Sequence, residues 1–526
     1  MDTSRFRNIG RRDLLKAAGG LALLASVNSH RVHARASFDA YPFSLGVASG
    51  DPWPDGFVLW TRLAPKPLEP GGGMPPQALP VEWEVAEDAG FKRIVRKGIE
   101  LARPELAHSV HVEVSGLEPA WRYWYRFRAG PATSVIGTAR TAPSAGTIND
   151  RLRIGVAGCQ HYEFGLFTAY RHLSELPDID LVFHYGDYIY EGTGATCRSE
   201  GGTRNCVRAH IGGETYSLDD YRRRYGQYKA DGDLQAAHAA AAFVMSYDDH
   251  EVDNDWAGDE DQDGTPAEAF VLRRFAAMQA WYEHMPVRRA QLPALGKLQM
   301  YRRLDFGALL RLHVLDTRQY RTNQLCNDDR NDHCRSSNDP APATMLGADQ
   351  EAWLGAGLDH KARWNLLAQQ VMVMPFNYPQ SRAAGRVNQD SWSGYPAARE
   401  RLVQQIRERD LRNVVIATGD VHKHHVGTVP LREGDLDGPA AATEFVCTSI
   451  SSDGDGQDLP QGWEQTRAAN PHCRLINARR GFQLFEIDRK QWRTDVWTVD
   501  KVTVAGGHAK RLSSYTVEPD VPVPHE

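Results

Sequence analysis

From Tyr41 to Pro143 the chain alternates apolar and polar positions over short distances. Phe57–Leu63, Val81-Glu-Trp-Glu-Val85, His111–Val114 and Trp124–Phe127 carry the apolar residues, and Pro/Gly clusters such as Glu69–Pro76 separate them. A strand sends successive side chains to opposite faces, so this spacing predicts short strands with one covered face, packed as a β-sandwich. After a connection over Thr141–Asn149 the texture changes. Leu152–Ala157, Leu181–Phe183, Phe243–Tyr247 and Val414–Thr418 are short apolar runs that predict strands, and Phe167–Leu176, Ala236–Ala242 and Arg399–Arg409 predict helices. Strands alternating with helices predict an α/β domain whose sheets are flanked by helices. The expected organisation is a β-sandwich over residues 37–143 and an α/β domain over residues 150–526.

Each strand of the second part runs into residues able to hold a metal ion. Cys159 follows the first, Asp187 and Tyr190 the second, Asp249-His250 the third, and Asp420 with His422 the fourth. An open α/β sheet collects its strand ends on one rim, so ligands distant in sequence converge there. Asp187 follows Gly186, which permits a sharp turn and lets the carboxylate face two cations. Tyrosinate oxygen and thiolate suit a strongly Lewis-acidic ion such as ferric iron better than magnesium. Asp249 offers a hard oxygen, and His250 beside it can bind a substrate oxygen or protonate a leaving group. Together these clusters predict a metal-dependent hydrolase.

Composition first removes the start of the chain from this picture. Residues 1–36 hold a basic segment, Gly10-Arg11-Arg12-Asp13-Leu14-Leu15-Lys16, then an apolar stretch from Ala17 to Val27, then Ala34-Arg35-Ala36. This order predicts a cleaved twin-arginine export signal and a periplasmic or secreted protein. The apolar stretch is shorter than the about 20 residues that span a bilayer, so no transmembrane anchor is expected in the mature chain. The segment carries a net +5, so the formal charge of −6 becomes −11 without it. An acidic chain with no long basic run is a poor candidate for a stable nucleic-acid complex.

Seven cysteines in an exported chain predict disulfides with one thiol left over. Pairing across the nearest loops joins Cys197 to Cys206, Cys326 to Cys334 and Cys447 to Cys473. Cys159 then remains, either as a buried inert thiol or as a thiolate ligand. Asp259, Asp261, Asp263 and Gly264 match half of an EF-hand loop, but Phe270 stands where the last carboxylate is needed, so they predict a solvated acidic loop. His161 is either a substrate contact or a structural histidine, and Lys423 could hold a distal substrate charge.

The order GDYIYE, DDHE, GDVH resembles the calcineurin-like metallophosphoesterase pattern in its alkaline phosphatase D (PhoD-like) form. GVASGDP with VLWTRL resembles that family's amino-terminal β domain, and Gly116-Leu117-Glu118-Pro119 before Tyr123 resembles a fibronectin type III-like module. The resemblance covers the mature chain. It implies a secreted phosphomonoesterase or phosphodiesterase using Fe3+ and Ca2+, including phospholipase D-type activity. Cys159, Asp187, Tyr190 and His422 would hold iron, with Asp187 bridging to calcium. Asp249 and Asp420 would favour calcium, with Asn254 a weaker candidate. Asp249 and Asp420 replace the neutral Asn and His of the wider superfamily, in keeping with calcium. Two such cations would clamp a phosphate ester and activate a bound water or oxygen ligand for attack, with His250 and Asp187 as the catalytic groups. Small phosphate esters, nucleic-acid ends and phospholipid headgroups are the expected substrates, and the twin-arginine machinery the expected partner. A non-catalytic binding protein with calcium-stiffened loops is the alternative, and it leaves the thiol, the tyrosine and the glycine-aspartate turns unexplained.

Overall fold

A computed structural model describes residues 38–192, 206–294, 297–324, 343–378 and 387–526. The predicted export signal, Cys197, Cys326 and Cys334 therefore lie outside the described residues. The amino-terminal part forms strands β1 (Val47–Trp53), β2 (Gly56–Arg62), β3 (Leu79–Ala86), β4 (Ile94–Ala102), β5 (Ser109–Val114), β6 (Arg122–Ala129), β7 (Ala132–Thr133) and β8 (Gly137–Arg140). The remainder contributes β9 (Leu152–Ala157), β10 (Leu181–His184), β11 (Ala242–Met245), β12 (Arg302–Phe306), β13 (Leu310–Val314), β14 (Trp364–Ala368), β15 (Val414–Thr418), β16 (His424–Pro430) and β17 (Ala440–Val446). It closes with β18 (Gly456–Gln457), β19 (Cys473–Arg479), β20 (Gly481–Ile487), β21 (Trp492–Val499), β22 (Ala509–Glu518) and β23 (Val521–His525).

The amino-terminal sandwich packs β4-β3-β6-β7, with β8 on β6, against β1, β2 and β5. Its core mixes both layers: Phe57, Leu59, Val110 and Val112 meet Val81, Val85, Tyr123 and Phe127. The Tyr123 hydroxyl accepts the Glu118 N–H at 2.9 Å, which closes the predicted tyrosine loop. One layer does not stop at the sandwich. Strand β1 pairs in parallel with β11 through Ser49↔Ala242 and Gly50↔Phe243, giving a ten-stranded sheet in the order β23-β22-β21-β20-β9-β10-β11-β1-β2-β5. Side chains tighten this seam. Arg302 forks onto both Asp51 oxygens at 2.8 Å, and His111 stacks on Tyr282.

A second sheet runs β12-β13-β14-β15-β17-β16-β19-β18, with β13, β14, β15 and β17 parallel. The two large sheets face each other. Ile154, Val156, Phe183 and Val244 from one share a core with Leu312, Leu366, Val415 and Phe445 from the other. Helices Thr168–Glu175 and Gly232–Ala240 cover the first sheet through Leu173, Leu234 and Ala237. Helices Gly347–Gly357 and Pro396–Glu408 cover the second through Leu354, Leu402 and Ile406. Strand β10 is buried on both faces, as its continuous apolar run requires. The expected class, an amino-terminal sandwich with an α/β domain, holds. No helix among the described residues is long and apolar enough to cross a membrane.

The cysteine pairing needs correction. Cys206 is disulfide-bonded, but Cys447 and Cys473 are free and buried, like Cys159. Cys447 follows β17 and Cys473 opens β19, with β16 between them. Two strand spacings of about 4.8 Å exceed the about 7 Å that a disulfide tolerates between Cα atoms. The Cys447 thiol instead donates to the Val156 carbonyl at 3.2 Å.

Candidate metal centre

The carboxyl ends of β9, β10, β11 and β15 bring their loops to one rim, where the two large sheets meet. Cys159, Asp187, Asp420 and His422 all have positive φ, between 50° and 69°. Such a conformation costs a non-glycine residue free energy and persists where surrounding contacts over-determine it. Glycines make room for the turns. A Cβ on Gly186 would lie 2.4 Å from the Asp248 Cβ, and one on Gly419 would lie 2.0 Å from the Tyr185 ring. The loops can therefore approach only with glycine at those positions. Buried Glu251 then accepts the backbone N–H groups of Asp187 at 3.1 Å, Tyr188 at 2.6 Å and Asp248 at 2.9 Å.

The side chains form three overlapping groups whose ligand atoms lie within 4.8 Å of one another. Cys159, Asp187 and His422 make the first, Asp187, Asp249 and His250 the second, and Asp248, Asp249 and Asp420 the third. Asp187 links the first two. Tyr190 joins the first: its hydroxyl donates to Asp187 Oδ2 at 2.8 Å and lies 3.1 Å from His422 Nε2. Asn254 stands apart on the exposed side of its loop, where its amide donates to Asp255 and Gln262.

Electrostatics fit cation binding. Burial, followed by the charges of Asp187 and Asp420, raises the Cys159 thiol well above its usual value. Burial and the Asp187 charge do the same to Tyr190. Burial raises Asp187, with His250 opposing and Asp249 adding to the rise. Asp420 is raised by burial and by Asp248. Burial pushes Asp248 up to about 7 despite Arg318. Asp249 goes the other way: against burial, Arg318 and His250 hold it well below the carboxylate range. Oxygens Asp187 Oδ1, Asp248 Oδ2 and Asp249 Oδ1 are buried without a hydrogen-bond partner. Crowded anions with orphaned oxygens are the condition a cation relieves, and the mixed S, N and O donors suit transition and alkaline-earth ions side by side.

Several residues here escaped the sequence reading. Glu191 lies 2.7 Å from His250 Nδ1 and fixes that ring. Arg318, wholly buried, donates to Asp248 at 2.6 Å and Asp390 at 2.8 Å, with Asp249 at 3.7 Å. The Ser452 Oγ lies 2.8 Å from the Tyr190 hydroxyl and donates to the Cys159 carbonyl at 2.8 Å. Arg224, from helix Leu218–Lys229, donates to the Tyr190 and Gly192 carbonyls. That helix had a visible signal, since Tyr221, Tyr225 and Tyr228 fall on one face at helical spacing. His161 is not among the three groups. Its ring stacks on Phe164 and lies 4.3 Å from the Tyr190 ring.

Comparison with known proteins gives the family. Residues 154–496 match the family model described as PhoD-like phosphatase, and residues 28–143 match that of the PhoD-like phosphatase N-terminal domain. The chain is 44% identical over 518 residues to alkaline phosphatase D of Bacillus subtilis (strain 168), covering 97% of this chain and 88% of that protein. A solved structure of PhoD superposes with a TM-score of 0.88 at 44% identity, covering 93% of each chain.

Proposed function

The chain belongs to the PhoD-like phosphatase family, and from that premise we propose how its rim residues divide the hydrolysis of phosphate esters. It is a metal-dependent phosphoesterase acting on phosphate monoesters or diesters. Cys159, Asp187, Tyr190 and His422 would hold Fe3+, and Asp187, which belongs to two of the three groups, would also serve Ca2+. Asp249 and Asp420 would hold calcium, Asp248 belongs to the same group of carboxylates, and Asn254 is a peripheral candidate. When bound, such ions would supply the Lewis acidity that neutralises phosphoryl oxygens and acidifies water.

The chain's own groups do the rest. With Nδ1 held by Glu191, His250 has Nε2 left for a substrate oxygen, and it delivers the proton that the leaving oxygen needs. Arg318 lies under the acidic cluster and keeps Asp249 ionised. Glu251 holds the Asp187 turn in place. Substrates are small phosphate esters, with nucleic-acid ends and phospholipid headgroups in the same chemical class. Residues 1–36 direct twin-arginine export to the periplasm or beyond, residues 37–143 form a supporting β domain, and residues 150–526 form the catalytic domain.

The observation that carries this reading is the contact of the Tyr190 hydroxyl with Asp187 and His422, beside Cys159. Purified protein should hydrolyse bis-p-nitrophenyl phosphate, lose activity on chelation, and regain it with iron and calcium together. Asp187→Ala should abolish turnover. Iron-loaded protein should show a visible tyrosinate charge-transfer band that disappears in Tyr190→Phe. Persistence of the band in that variant would refute the tyrosine as a ligand.

A further inference from the structure

Arg480 joins β19 to β20, and its side chain is buried beneath the first ligand group. One terminal nitrogen donates to the Ser449 hydroxyl and to the Ser452 carbonyl. The other donates to the His422 carbonyl at 3.0 Å and to the Ala478 carbonyl. Among the described residues these partners are all neutral oxygens, and its Nε is buried without a partner. A buried guanidinium is costly without a counter-charge. Asp453 is the largest opposing charge it feels, and Cys159 and Tyr190, reached through Ser452, become anions only on binding a cation.

The contacts also define a mechanical role. His422 and Ser452 lie on different loops, after β15 and β17, and one side chain grips both carbonyls. Ser452 in turn touches the Tyr190 hydroxyl and the Cys159 carbonyl, while His422 Nδ1 lies 2.9 Å from Asp453.

We propose that Arg480 is a positioning residue that clamps the His422 turn to the Ser452–Asp453 turn and supplies the buried positive charge opposite the anionic Tyr190 and Cys159 ligands. This rests on the assignment of those ligands to ferric iron. Removing a fixed positive charge near the ion favours the ferric over the ferrous state. At a separation of several ångströms in a partly shielded interior the effect is about tenfold in that ratio.

The test uses full-length iron-loaded protein, with Arg480→Gln and Arg480→Lys. At a fixed redox poise Arg480→Gln should raise the ferric-to-ferrous ratio about tenfold and keep the tyrosinate band. Arg480→Lys, which lacks the planar fork that reaches both loops, should disturb the band less than Arg480→Gln does. Loss of the band from Arg480→Gln while Arg480→Lys retains it also supports the clamp. An unchanged band and an unchanged ratio in both variants would overturn the proposal. If the parent protein shows no band, the iron assignment fails first, which separates the two failures. Should Arg480→Gln not fold, Ser449→Ala, which removes one anchor of the guanidinium, decides the matter, a band and a ratio both equal to the parent's counting against the proposal.

Discussion

His422 Nδ1 lies 2.9 Å from Asp453 Oδ2, although the two residues come from the ends of different strands. With that nitrogen committed to the carboxylate, Nε2 is left facing the Tyr190 hydroxyl and the Cys159–Asp187 side of the first group. A partner of this kind fixes tautomer and ring orientation and raises ligand basicity. Asp453→Ala should therefore lower metal affinity roughly 10- to 100-fold, read by competition with a chelator. An affinity equal to that of the parent would remove Asp453 from the site.

Glu191 plays the matching part for His250. Glu191→Gln should reduce kcat about tenfold or more while KM changes little, because the ring proposed to deliver the proton loses its charged partner. A rise in KM with unaltered kcat would place His250 in substrate binding alone.

Arg318 faces Asp248, Asp249 and Asp390 in a fully buried setting, with Arg321 also on Asp390. Removing one member of a buried ionic network leaves uncompensated charge. Arg318→Met should cost about 3–5 kcal/mol of stability, measured by urea denaturation of chelator-treated protein. Added calcium should recover part of the loss. A midpoint equal to that of the parent would contradict the charge argument.

The free thiols can be counted chemically. Alkylation of unfolded, unreduced protein should label Cys159, Cys447 and Cys473, and peptide mapping identifies the sites. A Cys447–Cys473 bridge in the digest would contradict the strand order of the second sheet.

Acid should weaken the seam between the sandwich and the α/β domain. His111 is buried with Nε2 3.0 Å from the carbonyls of both Tyr282 and Met285, and burial lowers its pKa from 6.5 to about 4. The folded state therefore holds this ring neutral where the unfolded chain protonates it. Its contribution is complete above pH 6.5 and is lost as pH falls towards about 4, on the order of 3 kcal/mol in all. In His111→Gln the fall in urea midpoint over this interval should be smaller. An identical fall in both proteins would assign the acid sensitivity elsewhere.

Much of this was legible along the chain. The apolar runs at Leu152–Ala157 and Val414–Thr418 coincide with β9 and β15, because a strand between packed layers needs apolar residues at most positions, Arg153 of β9 being part-buried. Cys159, Asp187, Tyr190, Asp249, His250, Asp420 and His422 were all visible as strand-end residues. Glycine before Asp187 and Asp420 was a true signal of close approach. Cysteine counting was less informative. It singled out Cys159 by pairing Cys447 with Cys473, whereas all three are free, and Cys159 is distinguished by its neighbours instead.

What only the tertiary structure decided is the set of partners that hold those side chains. Arg318, Asp390, Glu191, Asp453 and Arg480 carry no local pattern, since a buried charge is specified by what it meets across the fold and not by its neighbours in the chain. The merging of β1 with β11 was likewise invisible, because a parallel pairing between segments nearly two hundred residues apart leaves no periodicity in either. Local hydrophobic spacing was enough to determine the strands and where each would end. Bringing those ends to one rim, and balancing the charge that collects there, required the two sheets to pack face to face.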